Sequence, residues 1–137
     1  MNSQALGQFV LPAMEQLPRR IPKLSAAVLC TPDGFNICSL GVDERQVGKL
    51  AALSGSLLSV GNATMTELRP EMGAQSMDLL TLQTGSFQVL SIKVRKPNGH
   101  LILMAAAEDT ALGLMIVGMQ TVAKAIEHLF DPSSSKV

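Results

Sequence analysis

Two runs of this chain admit few folds. Leu24–Cys30 is nearly continuous in apolar residues, and Leu101–Ala107 carries no polar residue at all. A strand that shows one face to water alternates polar with apolar positions. Strands of this kind therefore belong in the middle of a sheet whose two faces are both covered.

The remaining segments supply the covers and the edges. Leu6, Phe9, Val10, Met14 and Leu17 recur at helical spacing, which predicts a first helix from about residue 3 to about residue 19. Pro12 inside it predicts a kink or a late start, and Pro18 and Pro22 close it. After Leu24–Cys30, the segment Thr31-Pro32-Asp33-Gly34 makes a turn. Proline presets φ, Asp33 hydrogen-bonds locally and Gly34 accepts positive φ. Phe35–Leu40 returns as a second strand. Asp43 caps a long second helix that reaches about Leu68, with Pro70 as the stop. Residues 76–83, 86–94 and 100–107 then read as three strands, punctuated by Gly85 and by Lys96-Pro97-Asn98-Gly99. A last helix begins near Asp109 or Thr110, with Glu108 and Asp109 as first-turn acids. It ends about Phe130, and Leu112, Met115, Met119, Val122, Ile126 and Leu129 face inward.

The order α-β-β-α-β-β-β-α is a hairpin and a meander. Joined through their central strands, they give a five-stranded antiparallel sheet ordered 2-1-5-4-3, with helices on both faces: an α+β, three-layer sandwich. Residues 1–131 form one domain, and 132–137 (Pro-Ser-Ser-Ser-Lys-Val) are expected to be a flexible tail.

At 137 residues the chain has room for one core. Its formal net charge of zero argues against phosphate-neutralising nucleic-acid binding. Mean hydropathy is high at +0.28, yet no apolar run approaches the ~20 residues that span a bilayer. The start Met1-Asn2-Ser3-Gln4 lacks the regions of a signal peptide, and two cysteines make no disulfide framework. A cytoplasmic protein is expected, and its excess hydrophobicity is most simply explained by a buried subunit interface.

The long second helix has two unlike sides. Leu50, Leu53, Leu57, Val60 and Leu68 fall in one apolar arc, expected to pack on the sheet. Gly48, Ala52, Gly55, Ser59, Asn62 and Thr66 fall nearly opposite, flanked by Arg45, Ser56 and Ala63, with Lys49 at the border. A helical glycine costs about 1 kcal/mol relative to alanine, so Gly48 and Gly55 together cost about 2 kcal/mol. One reading is an unoptimised surface, or glycines that relieve a crossing with a loop. The favoured reading is close approach of another polypeptide. The third strand points the same way: Met77, Leu79, Leu80 and Leu82 form an edge on which Asp78 is the one charge, whereas natural edges are normally blunted. A symmetry-related copy would extend the sheet and set two long helices side by side. Met65, Met72 and Met77 offer an adaptable contact surface.

Catalytic constellations are sparse. His100 and His128 stand far apart, Cys30 and Cys38 read as buried thiols, and neither a GxxxxGK[ST] nor a GxGxxG loop occurs. Arg19-Arg20-Ile21-Pro22-Lys23 reads as a solvated helix end. No cofactor, metal or catalytic residue is expected.

The segments Lys23-Leu24-Ser25-Ala26-Ala27-Val28-Leu29-Cys30-Thr31-Pro32-Asp33-Gly34-Phe35, Lys49-Leu50-Ala51-Ala52-Leu53-Ser54-Gly55-Ser56-Leu57-Leu58-Ser59-Val60-Gly61 and Thr110-Ala111-Leu112-Gly113-Leu114 carry a resemblance. In order and spacing they resemble the first hairpin, small-and-leucine helix and final-helix opening of the Roadblock (dynein light-chain) family, in its bacterial branch. The likeness covers about residues 5 to 130 and departs from the family at Pro12 and in a long loop from Arg69 to Gln75. It implies a Roadblock/profilin-like sandwich and a non-enzymatic dimer whose joined sheet and paired helices bind and regulate, or scaffold, a small Ras-like GTPase. Arg45 is the one arginine near that platform. Direct insertion of it is not expected, because relatives act by repositioning the GTPase's own residues. The alternative is a small-ligand sensor or general interaction scaffold, since domains of this size often hold a pocket between sheet and helix. The expected interface is Arg45, Gly48, Lys49, Ala52, Gly55, Ser56, Ser59, Asn62, Met77, Leu79, Leu80 and Leu82.

Overall fold

The computed structural model describes residues 3–131; the expected tail at 132–137 lies outside them. The elements run α1 (Ser3–Met14), α2 (Leu17–Arg20), β1 (Leu24–Cys30), β2 (Asn36–Leu40) and α3 (Glu44–Leu68). A short 3-10 turn (Pro70–Met72) follows, then β3 (Leu79–Thr84), β4 (Phe87–Lys96), β5 (Gly99–Glu108) and α4 (Leu112–Phe130). The strands form one antiparallel sheet in the order β2-β1-β5-β4-β3, with the two apolar runs adjacent near its middle.

Three boundaries differ from expectation. The first helix does not run through to residue 19: α1 stops at Met14 and α2 is a separate turn. Pro12 is accommodated inside α1, whereas Pro18 cannot donate to the Met14 carbonyl four residues earlier, and its ring clashes there. The last helix begins at Leu112, not at Asp109. Asp109 has left-handed φ of 50°, and its N–H donates to the Ser86 carbonyl at 2.9 Å, so it belongs to the loop and not to a first helical turn. Finally, β3 starts at Leu79 instead of Ser76, because the Met77 N–H is taken by the Asn62 side chain.

The two sides of the sheet are unequally covered. α1, α2 and α4 pack on one face, where Met14, Leu17, Leu29, Leu90, Leu101, Leu103, Met115, Met119 and Ile126 are fully buried. Each such side chain contributes about 1.5–3 kcal/mol, so this face holds most of the apolar stabilisation. On the other face α3 lies chiefly over β1, β2 and β5. The cluster there is smaller: Val28, Cys30, Ile102 and Met104 of the sheet, with Ala51 of the helix.

Candidate interaction surface

The orientation of α3 decides what the molecule presents. Asp43 caps the helix, its Oδ1 accepting the Gln46 N–H at 2.9 Å. The residues buried along α3 are Ala51, Ser54 and Gly55, with Leu50 and Leu58 partly buried beside them. The expected apolar arc is thus rotated by roughly a quarter turn. Leu53, Val60 and Leu68, expected against the sheet, are 57%, 64% and 71% exposed. The physical reason lies in the sheet: Val28, Ile102 and Met104 already fill the layer, so the helix seats there through small residues. Ser54 completes the contact, its Oγ donating to the Leu50 carbonyl at 2.8 Å and lying 3.4 Å from the Met104 sulfur.

Gly55 changes role accordingly. A Cβ on it would lie 2.6 Å from the Pro32 carbonyl oxygen. The close approach it permits is to the chain's own β1–β2 turn, so it stands apart from the exposed ribbon. Gly34 of that turn has φ of 96° and lies against Ala52, with 3.1 Å between the Ala52 Cα and the place a Cβ would take. Gly61 gives way to the Met77 side chain in the same manner. Gly48 has no atom within 4 Å of its Cβ position. Arg45, Gly48, Lys49, Ala52, Ser56 and Ser59 are exposed along α3. A shallow depression bounded by Pro32, Asp33, Ala52, Gly55, Ser56, Ser59 and Val60 opens between helix and turn.

Asn62 and the edge strand divide differently from expectation. Asn62 is half-buried, and its Oδ1 accepts the Met77 N–H at 2.6 Å, which ties the approach to β3 onto α3. Cross-strand partners share a face. Leu79 opposes Ile92 and packs into the large core on the α4 side. Leu80 and Leu82 oppose Ser91 and Val89, and Val89 packs on the α3 cluster. Leu80 and Leu82 therefore lie on the face that α3 covers only in part, and Leu82 is 42% exposed. Asp78 steadies the start of the edge: Lys93 Nζ and Arg95 approach its Oδ1 at 3.6 and 3.7 Å, and its carbonyl accepts the Lys93 N–H at 3.1 Å.

The surface that emerges is an outward side of α3 bearing Leu53, Val60 and small residues, continuous in sheet face with Leu80 and Leu82. Sequence reasoning missed Leu53 and Val60 because leucine and valine count as core formers. The signal available was the i, i+3, i+4, i+7 spacing of Ala51, Ser54, Gly55 and Leu58, a seam for close packing.

Two cysteine thiols are buried inside the fold. Burial pushes the Cys30 thiol up to about 11, against a smaller opposing effect of its contact with Ser54. Burial also raises Cys38, helped by the nearby Glu15 carboxylate. The two thiols occupy opposite faces of the sheet, Cys30 under α3 and Cys38 in the large core. Among the described residues no group of three or more His, Cys, Asp or Glu is placed to hold a metal ion. No helix among them is long and apolar enough to cross a membrane.

This order of elements and strands defines a class, the α+β sandwich with a 2-1-5-4-3 antiparallel sheet between helical layers. Within it the chain has the Roadblock/LC7 fold. A Roadblock/LC7 domain from Streptomyces avermitilis superposes with a TM-score of 0.71 at 22% identity, covering 83% of this chain and 91% of that one. An MglB in a tetrameric arrangement gives 0.76 at 16% identity, covering 94% and 93%. The gliding protein MglB of Thermus thermophilus gives 0.73 at 14% identity, covering 93% of each. No family model matches the chain, and no curated protein matches it in sequence.

Proposed function

We propose that the chain acts as a non-enzymatic homodimeric platform that binds and regulates a small Ras-like GTPase. The observation that carries this reading is the half-covered sheet face. α3 leaves the β3–β4 side of its own layer thinly packed, and the strand at that side ends in an edge with Leu80 and Leu82 on the open face. Pairing β3 with β3 of a second copy, across a two-fold axis, would bring Leu82 and Val60 of both copies under cover and set the two α3 helices side by side. Arg45, Lys49, Ala52, Ser56 and Ser59 then border the shared surface. Small residues there allow a partner backbone close approach, and Arg45 and Lys49 give it a basic rim. The likeness of the fold to Roadblock/LC7 domains and to MglB supports a GTPase as the partner.

The test has two parts. Sedimentation of the purified protein should give twice the monomer mass, and Leu82→Lys should reduce it to the monomer while leaving the circular dichroism unchanged. Small Ras-like GTPases from the source cytosol, loaded with GDP or a non-hydrolysable GTP analogue, should then bind with a nucleotide preference that Ser56→Arg abolishes. A strictly monomeric protein at high concentration, or absence of GTPase binding in both nucleotide states, overturns the reading.

A further inference from the structure

Along β3 the direction of every backbone hydrogen-bonding group is fixed by one contact at its start. The Asp78 carbonyl accepts the Lys93 N–H at 3.1 Å, and the register that sets Leu79 opposite Ile92 sets Asp78 opposite Lys93. In an antiparallel ladder hydrogen-bonded pairs alternate with non-hydrogen-bonded ones. Leu80, Leu82 and Thr84 therefore turn their N–H and C=O groups towards β4 as Asp78 does. The hairpin agrees from its other end, because Thr84 and Phe87 are the pair that closes the turn of Gly85 and Ser86. Leu79, Thr81 and Gln83 accordingly present their N–H and C=O groups outward, past the last strand of the sheet.

The two edges of the sheet are treated differently. No charge, proline or bulge interrupts β3 from Leu79 to Thr84, so that edge lacks the usual guards. β2 at the other edge carries a register shift beside Cys30. α1 also sits against β2, so closely that a Cβ on Gly7 would lie 2.5 Å from the Ile37 carbonyl oxygen. Growth of the sheet on one side alone gives a closed pair and not a fibre.

We propose that β3 pairs antiparallel with β3 of a second copy in a single register, with Thr81 opposite Thr81 on the two-fold axis. The register rests on the homodimer proposed above and specifies it. Leu79 then meets Gln83 of the second copy, Thr81 meets Thr81, and Gln83 meets Leu79, each pair exchanging both N–H···O bonds. A slip of one residue would set outward groups against inward ones. A slip of two would leave the Leu79 or the Gln83 groups unpaired. The side chains agree with the backbone. Leu80 comes to lie opposite Leu82 of the second copy, an apolar cross-strand pair made twice on the α3 face. Leu82 of the second copy thereby packs beside a wall of the small cavity between α3 and the sheet, which Leu80 lines. This self-complementarity selects a second copy over a foreign strand.

Two measurements test the register. Amide exchange needs no substitution in the dimer: the Leu79, Thr81 and Gln83 amides should all exchange about tenfold or more slowly than in Leu82→Lys, the monomeric variant. Disulfide formation is the second. Opposed Cα atoms of a hydrogen-bonded pair stand about 5.5 Å apart, within the span of a disulfide, whereas the two copies of Gln83 would be about 13 Å apart or more. Thr81→Cys should therefore cross-link to itself under mild oxidation about tenfold or more faster than Gln83→Cys. The parent protein, whose Cys30 and Cys38 are buried, is the blank. In a protein that sediments as a dimer, Gln83→Cys linking as fast as Thr81→Cys overturns the register and leaves the dimer standing. Exchange of the Leu79 or Gln83 amide at the rate seen in Leu82→Lys does the same. A parent protein that sediments as a monomer overturns both.

Discussion

Gly55 and Pro32 meet backbone to backbone across the α3 side of the sheet, with 2.6 Å between the Pro32 carbonyl oxygen and the position a Cβ of Gly55 would occupy. The neighbouring pair Ala52 and Gly34 repeats the contact one turn earlier. The β1–β2 turn therefore rests directly on the helix, and the helix has a glycine because nothing larger fits.

Two substitutions on one helix should consequently act in opposite directions. Gly55→Ala must push α3 from the turn, and overpacking of a rigid contact costs about 1–3 kcal/mol, more than the gain in helix propensity of about 1 kcal/mol. Gly48→Ala meets open space and should stabilise by about 0.5–1 kcal/mol. Urea unfolding of the two variants decides it, and equal stability of Gly55→Ala and the parent protein would contradict the close approach.

Asn62→Ala should cost about 1–2 kcal/mol, since the half-buried Met77 N–H loses its acceptor. The effect should be local. Hydrogen exchange of Met77 and its neighbours is expected to accelerate while the amides of β5 keep their protection; uniform acceleration across the sheet would show instead that Asn62 supports the whole fold.

The contrast between these residues explains what could be read in advance. Leu24–Cys30 and Leu101–Ala107 announce their central position because burial on two faces leaves a pattern visible without any neighbour. The 2-1-5-4-3 order follows from those two strands and from tight turns at Gly34, Gly85 and Gly99. The rotation of α3 was not legible, because it depends on how much room Val28, Ile102 and Met104 leave above the sheet, a quantity fixed by three distant segments together. Of the candidate surface, Ala52, Ser56 and Ser59 were found as exposed small residues. Gly55 and Asn62 were assigned outward because their partners, Pro32 and Met77, lie 23 and 15 positions away in the chain. Pro18 held a legible stop at Met14 that Leu17, continuing the apolar period, obscured.

Lys23 and Asp109 face one another with left-handed φ of 59° and 50°, and their side chains pair at 3.8 Å in an exposed setting. An exposed pair of this kind contributes well under 1 kcal/mol, whereas a left-handed residue other than glycine or asparagine costs about 1 kcal/mol. Lys23→Gly should therefore leave stability unchanged or raise it by up to about 1 kcal/mol. Lys23→Met removes the charge but keeps the strain and should be neutral or slightly destabilising. Thermal melts of both variants settle the sign.

His100 makes stability depend on pH. Its ring lies beside a cavity of about 10 Å³ lined also by Leu57, Leu58, Leu80 and Ile102, and its Nε2 is buried with no hydrogen-bond partner among the described residues. Burial lowers its pKa below the usual 6.5, and the ammonium groups of Lys93 and Lys96 lower it further. Arg95, its cross-strand partner, adds another cation, and the Asp78 carboxylate, which lines the same cavity, is already engaged by Lys93 and Arg95. The fold thus favours the neutral ring. Between the folded pKa and 6.5 the unfolded chain binds more protons than the folded one, so stability rises with pH across that window. It is full above 6.5, falls on acidification through that value, and levels off below the folded pKa. His100→Gln should remove this component: the urea midpoint of the parent protein should drop from about pH 7.5 to about pH 5 by more than that of the variant. Parallel pH profiles for the two proteins would show that the ring is as free to charge in the folded chain as in the unfolded one.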